Sequence, residues 1–203
     1  SFDIQLEILD SQRIGEIMAD TVLPSDASVD VLAEFVPLLT QIRDEYVATH
    51  LAPDPVVDYL EREDVERRVI ERMDTAKVAV LSGIGGLGKS QTAASVAASL
   101  RRSGVCETVV WIDAGDLASI DALRGIEIDR RGRRVNALAL THITSSLLVL
   151  DDLQHDIDLR ALSEACGSHA RVLVTRRTIG HDDVQVPLLD EAKARKLLAH
   201  GLA

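Results

Sequence analysis

The stretch LSGIGGLGKSQTAASVA, Leu81 to Ala97, packs four glycines into six positions and follows them with Lys-Ser. Gly83 to Ser90 fits the spacing G-x-x-x-x-G-K-[S/T]. Glycines let a backbone adopt positive φ and approach a phosphate closely. Successive N–H groups at the start of a helix can then converge on the anion. In such a loop Lys89 neutralises the β and γ oxygens, and Ser90 offers its hydroxyl to Mg²⁺. The expected contacts run through Gly83, Ile84, Gly85, Gly86, Leu87, Gly88, Lys89, Ser90 and Gln91. The bare alternative is a glycine-rich turn that merely ends a strand. An apolar run before the loop and a helical run after it favour phosphate binding.

Two further clusters carry usable chemistry. SLLVLDD is an apolar strand ending in Asp151 and Asp152. An apolar strand can present acids only at its tip, where nucleotides bind in parallel α/β sheets. Asp151 is expected to hold Mg²⁺ through water, and Asp152 to orient or activate the attacking water. The alternative is that both acids only cap the next helix. RVLVTRR ends in Thr175, Arg176 and Arg177. An arginine at a strand tip can read a γ-phosphate through paired hydrogen bonds, or can be a plain surface cation. Lys89, Asp152 and Arg177 are thus the catalytic candidates, and Ser90 and Asp151 the metal candidates. His155, within DDLQHDIDL, lacks any zinc-ligand spacing and reads as part of a solvated loop. DRRGRR, residues 129–134, reads as a solvated hairpin tip without aromatic residues to stack on bases. No [NT]KxD sequence is present to read guanine, so ATP is preferred to GTP.

The elements that must position these groups alternate between β and α from Lys77 onward. KVAVLSG, TVVWIDA, SLLVLDD, ARVLVTRR and DVQVPL read as five strands. KSQTAASVAASLRR, ending near Gly104, and ALALTHITS, LRALSEAC and DEAKARKLLAHGLA read as helices. GIEIDRRGRRVN reads as a small hairpin turning at Arg131-Gly132. Short apolar strands separated by helices predict a three-layer α/β fold with a parallel five-stranded sheet covered on both faces. A mostly helical segment precedes it. There, FDIQLEIL alternates like a strand, and two helical runs follow, the second kinked at Pro37. APDPVV, residues 52–57, is a stiff linker, and REDVERRVIERM is an amphipathic helix with Val65, Val69, Ile70 and Met73 on one face.

Composition narrows the class. Hydrophobic residues make up 46% of the 203-residue chain but aromatics only 2%, so the core must be built from Ala, Val, Leu and Ile. Residues 1–76 hold 18 Asp and Glu against 6 Lys and Arg, whereas the remainder holds 15 against 16. That break suggests a segment boundary near residue 76, and the acidic first third argues against electrostatic wrapping of nucleic acid. Cys106 and Cys166 stand far apart outside any CxxC spacing, so a disulfide framework is not expected and a reducing cytoplasm is. No apolar run approaches the ~20 residues of a membrane span, and no signal peptide is evident. The missing initiator Met suggests a fragment of something longer.

Together the pieces resemble the NB-ARC and related STAND signalling ATPases, P-loop NTPases in fold. GIGGLGKSQTA, LLVLDD and VLVTRR are close to that family's motifs, and VVWIDA matches its Trp-containing strand. YLEREDVERRV resembles its upstream hhGRExE motif, supplying Arg62, Glu63 and Glu66, with Glu61 where the family carries Gly. Arg176 stands where the family usually has a small Thr or Ser. The resemblance implies ATP/ADP with Mg²⁺ as cofactors, Arg62 on the adenine side and Arg177 as the sensor arginine. It also implies residues 58–203 as the nucleotide-binding domain, stopping before a helical lid, with 25–57 as a helical linker. FDIQLEILDSQRIGEIMAD resembles the closing strand and helix of restriction-endonuclease-like domains, making residues 1–24 the end of an effector, although no PD-(D/E)xK set is visible. The family behaves as slow switches: ADP holds them closed, and ATP with a ligand drives self-association or partner-triggered assembly. A bacterial antiphage setting follows from the same likeness, with nucleic acid reached only through the effector and no membrane partner. An AAA+-like motor or DNA-associated loader is the competing reading, and a small-molecule kinase a third. The short hairpin between the second and third strands makes a poor kinase lid.

Overall fold

The computed structural model describes residues 51–57, 59–130, 133–142, 145–191 and 193–195. The expectations for residues 1–50, the hairpin tip at Arg131-Gly132 and most of the final helix fall outside that set. The described chain begins with residues of no regular secondary structure and helix α1 (Glu63–Ala76), followed by β1 (Val78–Ser82) and α2 (Lys89–Arg102). β2 (Thr108–Asp113), α3 (Ile120–Arg124), β3 (Glu127–Arg130), β4 (Arg133–Asn136) and α4 (Ala137–Leu140) come next. β5 (Ser146–Leu153), α5 (Leu159–Ala165), β6 (Ala170–Arg176) and β7 (Val184–Gln185) complete the described elements.

Five strands form one sheet in the order β2-β5-β6-β1-β7, and every pairing within it is parallel. Parallel strands bury both faces, which explains their unbroken apolar runs. Alternate residues point to opposite sides. Ala79, Leu81, Leu147, Val149 and Leu173 meet α1 through Val65, Val69 and Met73, and α2 through Ala93, Val96, Ala97 and Leu100. Val80, Leu148, Leu150, Val172 and Val174 pack on the other side against Leu123, Leu138, Leu140 and Leu162. The fold is therefore the expected three-layer α/β arrangement. α1 belongs to one of these two cores, so packing is continuous across the charge break at residue 76.

Some elements depart from expectation. Among the described residues of the run ALALTHITS, the helix is the single turn Ala137–Leu140, capped by Asn136, whose side chain accepts from the Ala139 N–H. After that turn the Thr141 hydroxyl bonds back to the Leu138 carbonyl at 2.7 Å. Gly167 lies so close to Thr141 that a Cβ there would collide with its carbonyl. DVQVPL contributes only the two residues of β7, and a further short helix, α3, is capped by Ser119. Both cysteines are free and buried, one in each core. Burial pushes the Cys166 thiol up to about 11. Among the described residues no helix is long and apolar enough to cross a membrane.

Candidate phosphate and metal site

The glycine loop leaves β1 at Ser82 and enters α2 at Lys89. Gly86 and Gly88 hold φ of 80° and 82°, a left-handed region that L side chains rarely adopt. An added Cβ at Gly85, Gly86 or Gly88 would meet nothing within 4 Å. Gly86 and Gly88 therefore serve backbone conformation, and none of the three is required by packing against the protein. Lys89 is buried and its Nζ donates to the carbonyls of Gly83 at 2.9 Å and Ile84 at 3.0 Å. The ammonium thus sits inside the turn of its own loop, where an anion can replace the carbonyls as its partner.

Opposite the loop, Asp151 collects two hydroxyls. Ser90 Oγ donates to Asp151 Oδ1 at 2.9 Å, and Thr175 Oγ1 donates to the same oxygen at 2.6 Å. β6 lies between β1 and β5, so its tip brings Thr175 between the loop and the acid strand. The Thr175 hydroxyl also accepts from the Asp152 N–H at 2.8 Å. Asp152 has φ of 54°, and the β5–β6 register shifts between Leu150 and Leu153. A left-handed aspartate costs on the order of 1 kcal/mol, and the Thr175 bond helps to offset it. The result turns the Asp152 side chain toward Arg177, whose Nε lies 3.4 Å from Asp152 Oδ1. Arg177 is largely exposed and Asp152 partly so.

Hydroxyl and carboxylate oxygens are the hard donors that Mg²⁺ prefers. No group of three or more His, Cys, Asp and Glu side chains capable of holding a metal occurs among the described residues. The Asp151 carboxylate with the Ser90 hydroxyl fits an ion that takes few ligands from the protein and the rest from phosphate and water, as Mg²⁺ does.

Upstream, the helix start is tied to the loop. Arg62 precedes α1 and donates to the Leu87 carbonyl at 2.9 Å and to the Pro187 carbonyl at 2.6 Å. C=O and N–H of one trans peptide point opposite ways, so holding the Leu87 carbonyl turns the Gly88 N–H away from the guanidinium. Glu66 accepts from the Tyr59 hydroxyl at 2.7 Å, the Arg62 N–H at 3.2 Å and the Ser95 hydroxyl at 3.1 Å. Burial, reinforced by the Glu66 bond, pushes the Tyr59 phenol well up. Gln91, the last residue of the expected contact run, accepts from the Val56 N–H at 2.9 Å.

The structure thus brings Lys89, Ser90, Asp151, Asp152 and Arg177 to one end of the sheet, with Arg62 at the side of the loop. The sequence marks Thr175 only as part of a strand tip, and its bond to Asp151 follows from the strand order. Asp183, the partner of Arg176, carried no signal in its polar run TIGHDDV.

No protein-family model matches the chain, and no curated protein matches it. Among solved structures it is similar to a Walker-type ATPase of Pyrococcus abyssi, with TM-score 0.49 and 14% identity over 75% of this chain and 61% of that one. It is also similar to Cdc6p of Pyrobaculum aerophilum, with TM-score 0.46 and 14% identity over 77% and 52% of the two chains. The third is the ORC2 protein of Aeropyrum pernix, solved in ADPNP and ADP complexes, with TM-score 0.44 and 16% identity over 77% and 54%. The chain spans between 52% and 61% of the length of these proteins. The parallel sheet, its strand order and the glycine loop at the start of α2 give this chain a P-loop NTPase-like fold.

Proposed function

We propose that the chain binds ATP and ADP with Mg²⁺ and acts as a slowly hydrolysing signalling switch of the STAND type. One observation carries this reading. A phosphate loop with its metal acid already assembled stands beside Asp152, and Asp152 is engaged by Arg177 at 3.4 Å. In this arrangement the group that would activate water is held by the group that would read the γ-phosphate. Lys89 and the loop N–H groups bind the phosphates, and Ser90 and Asp151 hold the metal. When bound, Mg²⁺ would supply charge neutralisation at the β and γ oxygens. The Arg177–Asp152 contact is long and exposed, so a γ-phosphate would draw the guanidinium away from Asp152 whereas ADP would leave the pair closed. The nucleotide then sets a population of states, and hydrolysis resets it.

Arg62 belongs to the same machinery through the Leu87 carbonyl, on the side where the adenine is expected. In the longer protein the output is nucleotide-controlled self-association or partner-triggered assembly. A cytoplasmic antiphage role and a nuclease effector before residue 25 complete the proposal.

The test is the nucleotide that co-purifies with the protein, for the wild type and for Lys89→Ala. Retained ADP that disappears in the variant supports the switch. Unaltered nucleotide content in Lys89→Ala would sink the site assignment. Fast turnover that appears only in assembled rings would favour the AAA+-like motor reading, and phosphate transfer to a small acceptor would favour a kinase.

A further inference from the structure

Arg176 and Asp183 form a feature that the nucleotide site does not explain. Arg176 closes β6, and Asp183 immediately precedes β7. Both strands lie against β1, where Ser82 is in register with Arg176 on one side and with Gln185 on the other. The loop 177–183 therefore crosses the end of β1, where the phosphate loop begins.

Within that loop the Arg176 guanidinium meets Asp183 through two hydrogen bonds, Nε to Oδ2 at 3.1 Å and Nη2 to Oδ1 at 2.8 Å. The Asp183 side chain is only 4% exposed and that of Arg176 20%. The Gly180 N–H donates to Asp183 Oδ2 at 2.8 Å. A Cβ at Gly180 would collide with Arg176 Nη2, so a larger residue there would have to displace the guanidinium from its place beside Asp183. The planar fork of arginine suits this geometry, and a lysine cannot reproduce it.

The neighbouring Arg177 differs in kind. Its side chain is 65% exposed and faces Asp152. Its backbone, by contrast, is fixed by β6 on one side and by the closed turn on the other. We propose that the Arg176–Asp183 pair is a positioning device, a clip that presents Arg177 to Asp152 or to a γ-phosphate. The proposal rests on the reading of Arg177 given above. Arg176 and Asp183 touch no nucleotide in it and act only through their neighbour.

The test compares affinities of the full chain for ADP and for a non-hydrolysable ATP analogue. The variants are Arg177→Ala, Asp183→Asn, and Arg176→Met combined with Asp183→Leu, which leaves no buried charge unpaired. Each clip variant is also made in the Arg177→Ala background. Arg177→Ala is expected to change the ratio of the two affinities at least ~5-fold, the low end of ordinary coupling between sites. The clip variants should shift the ratio in the same direction, with ADP affinity within about twofold of wild type, and should add nothing once Arg177 is alanine. Retained ADP binding shows that the variant is folded. A merely structural pair would lower both affinities together or act independently of Arg177, and either result overturns the clip. If Arg177→Ala leaves the ratio unchanged, the reading of Arg177 fails and the clip with it. If Arg177→Ala shifts the ratio and the clip variants do not, the clip alone fails.

Discussion

Lys77 and Lys89 stand at opposite ends of β1, and each donates to two main-chain carbonyls. Lys77 Nζ reaches Ser163 at 2.7 Å and Cys166 at 3.0 Å, at the end of α5 and 86 residues or more away in sequence. Lys89 reaches Gly83 and Ile84, six and five residues away in its own loop. The Lys77 carbonyls lie at a helix C-terminus, where they lack partners within the helix and carry partial negative charge. Burial lowers the Lys77 pKa, so its charge is held against a desolvation cost. It joins distant segments and has no spare partner. Lys89 instead holds carbonyls of a loop whose outer face is open, so an incoming phosphate can take their place without unpicking the fold. Similar hydrogen bonding thus serves architecture at one end of a strand and, in the proposed function, binding at the other.

The largest effect that could break this contrast is expected at Lys89. Lys89→Ala should weaken ADP binding roughly 100-fold, the loss of about 3 kcal/mol of charge-assisted bonding. Its unfolding free energy should stay within about 1 kcal/mol of wild type. Calorimetric titration and urea unfolding measure the two quantities. A large stability loss with intact binding would reverse the roles assigned to the lysines.

Lys77→Met should do the opposite. Stability is expected to fall by about 2 kcal/mol, because partly buried carbonyls lose their donor, while ADP affinity changes by less than about twofold. Thermal melts beside the same titration check it.

Next in size, Asp151→Asn should lower Mg²⁺-dependent ATP affinity about tenfold, or ~1.4 kcal/mol. Binding measured in excess chelator should be unchanged. An equal loss with and without Mg²⁺ would remove Asp151 from the metal role.

The smallest effect near neutrality is alkaline. The Cys166 thiol titrates at about 11 in the folded chain, raised by burial above its ordinary 9.0. The folded state therefore holds the proton more tightly. Its contribution is fully present below about pH 9 and is lost as pH rises through 11. Lys77, shifted downward, acts with the opposite slope. The comparison is thus between wild type and Cys166→Ala, and the variant should show the shallower decline in stability from pH 9 to 11.

What the sequence alone makes legible is what is local. The phosphate loop spells itself in eight consecutive residues, and the acid pair announces itself at the end of an apolar run. The parallel sheet followed from strand and helix alternation. Thr175 on Asp151 and Arg176 on Asp183 could not be read this way. The first needs β6 between the loop strand and the acid strand, and the second needs β6 and β7 on either side of β1. Helix length failed at Leu140 for a similar reason. Thr141 turns back on its own chain there and lies against Gly167, 26 residues on.

The two buried thiols have a practical consequence for labelling. Cys106 and Cys166 are the only cysteines in the chain and lie under opposite faces of the sheet. Maleimide reagents should pass them by in the folded protein. A cysteine in place of Ile84, which is 62% exposed on the glycine loop, would then be the single reactive handle. A fluorophore there would sit on the loop whose own carbonyl binds Lys89, and its emission would follow the exchange of that carbonyl for phosphate in real time.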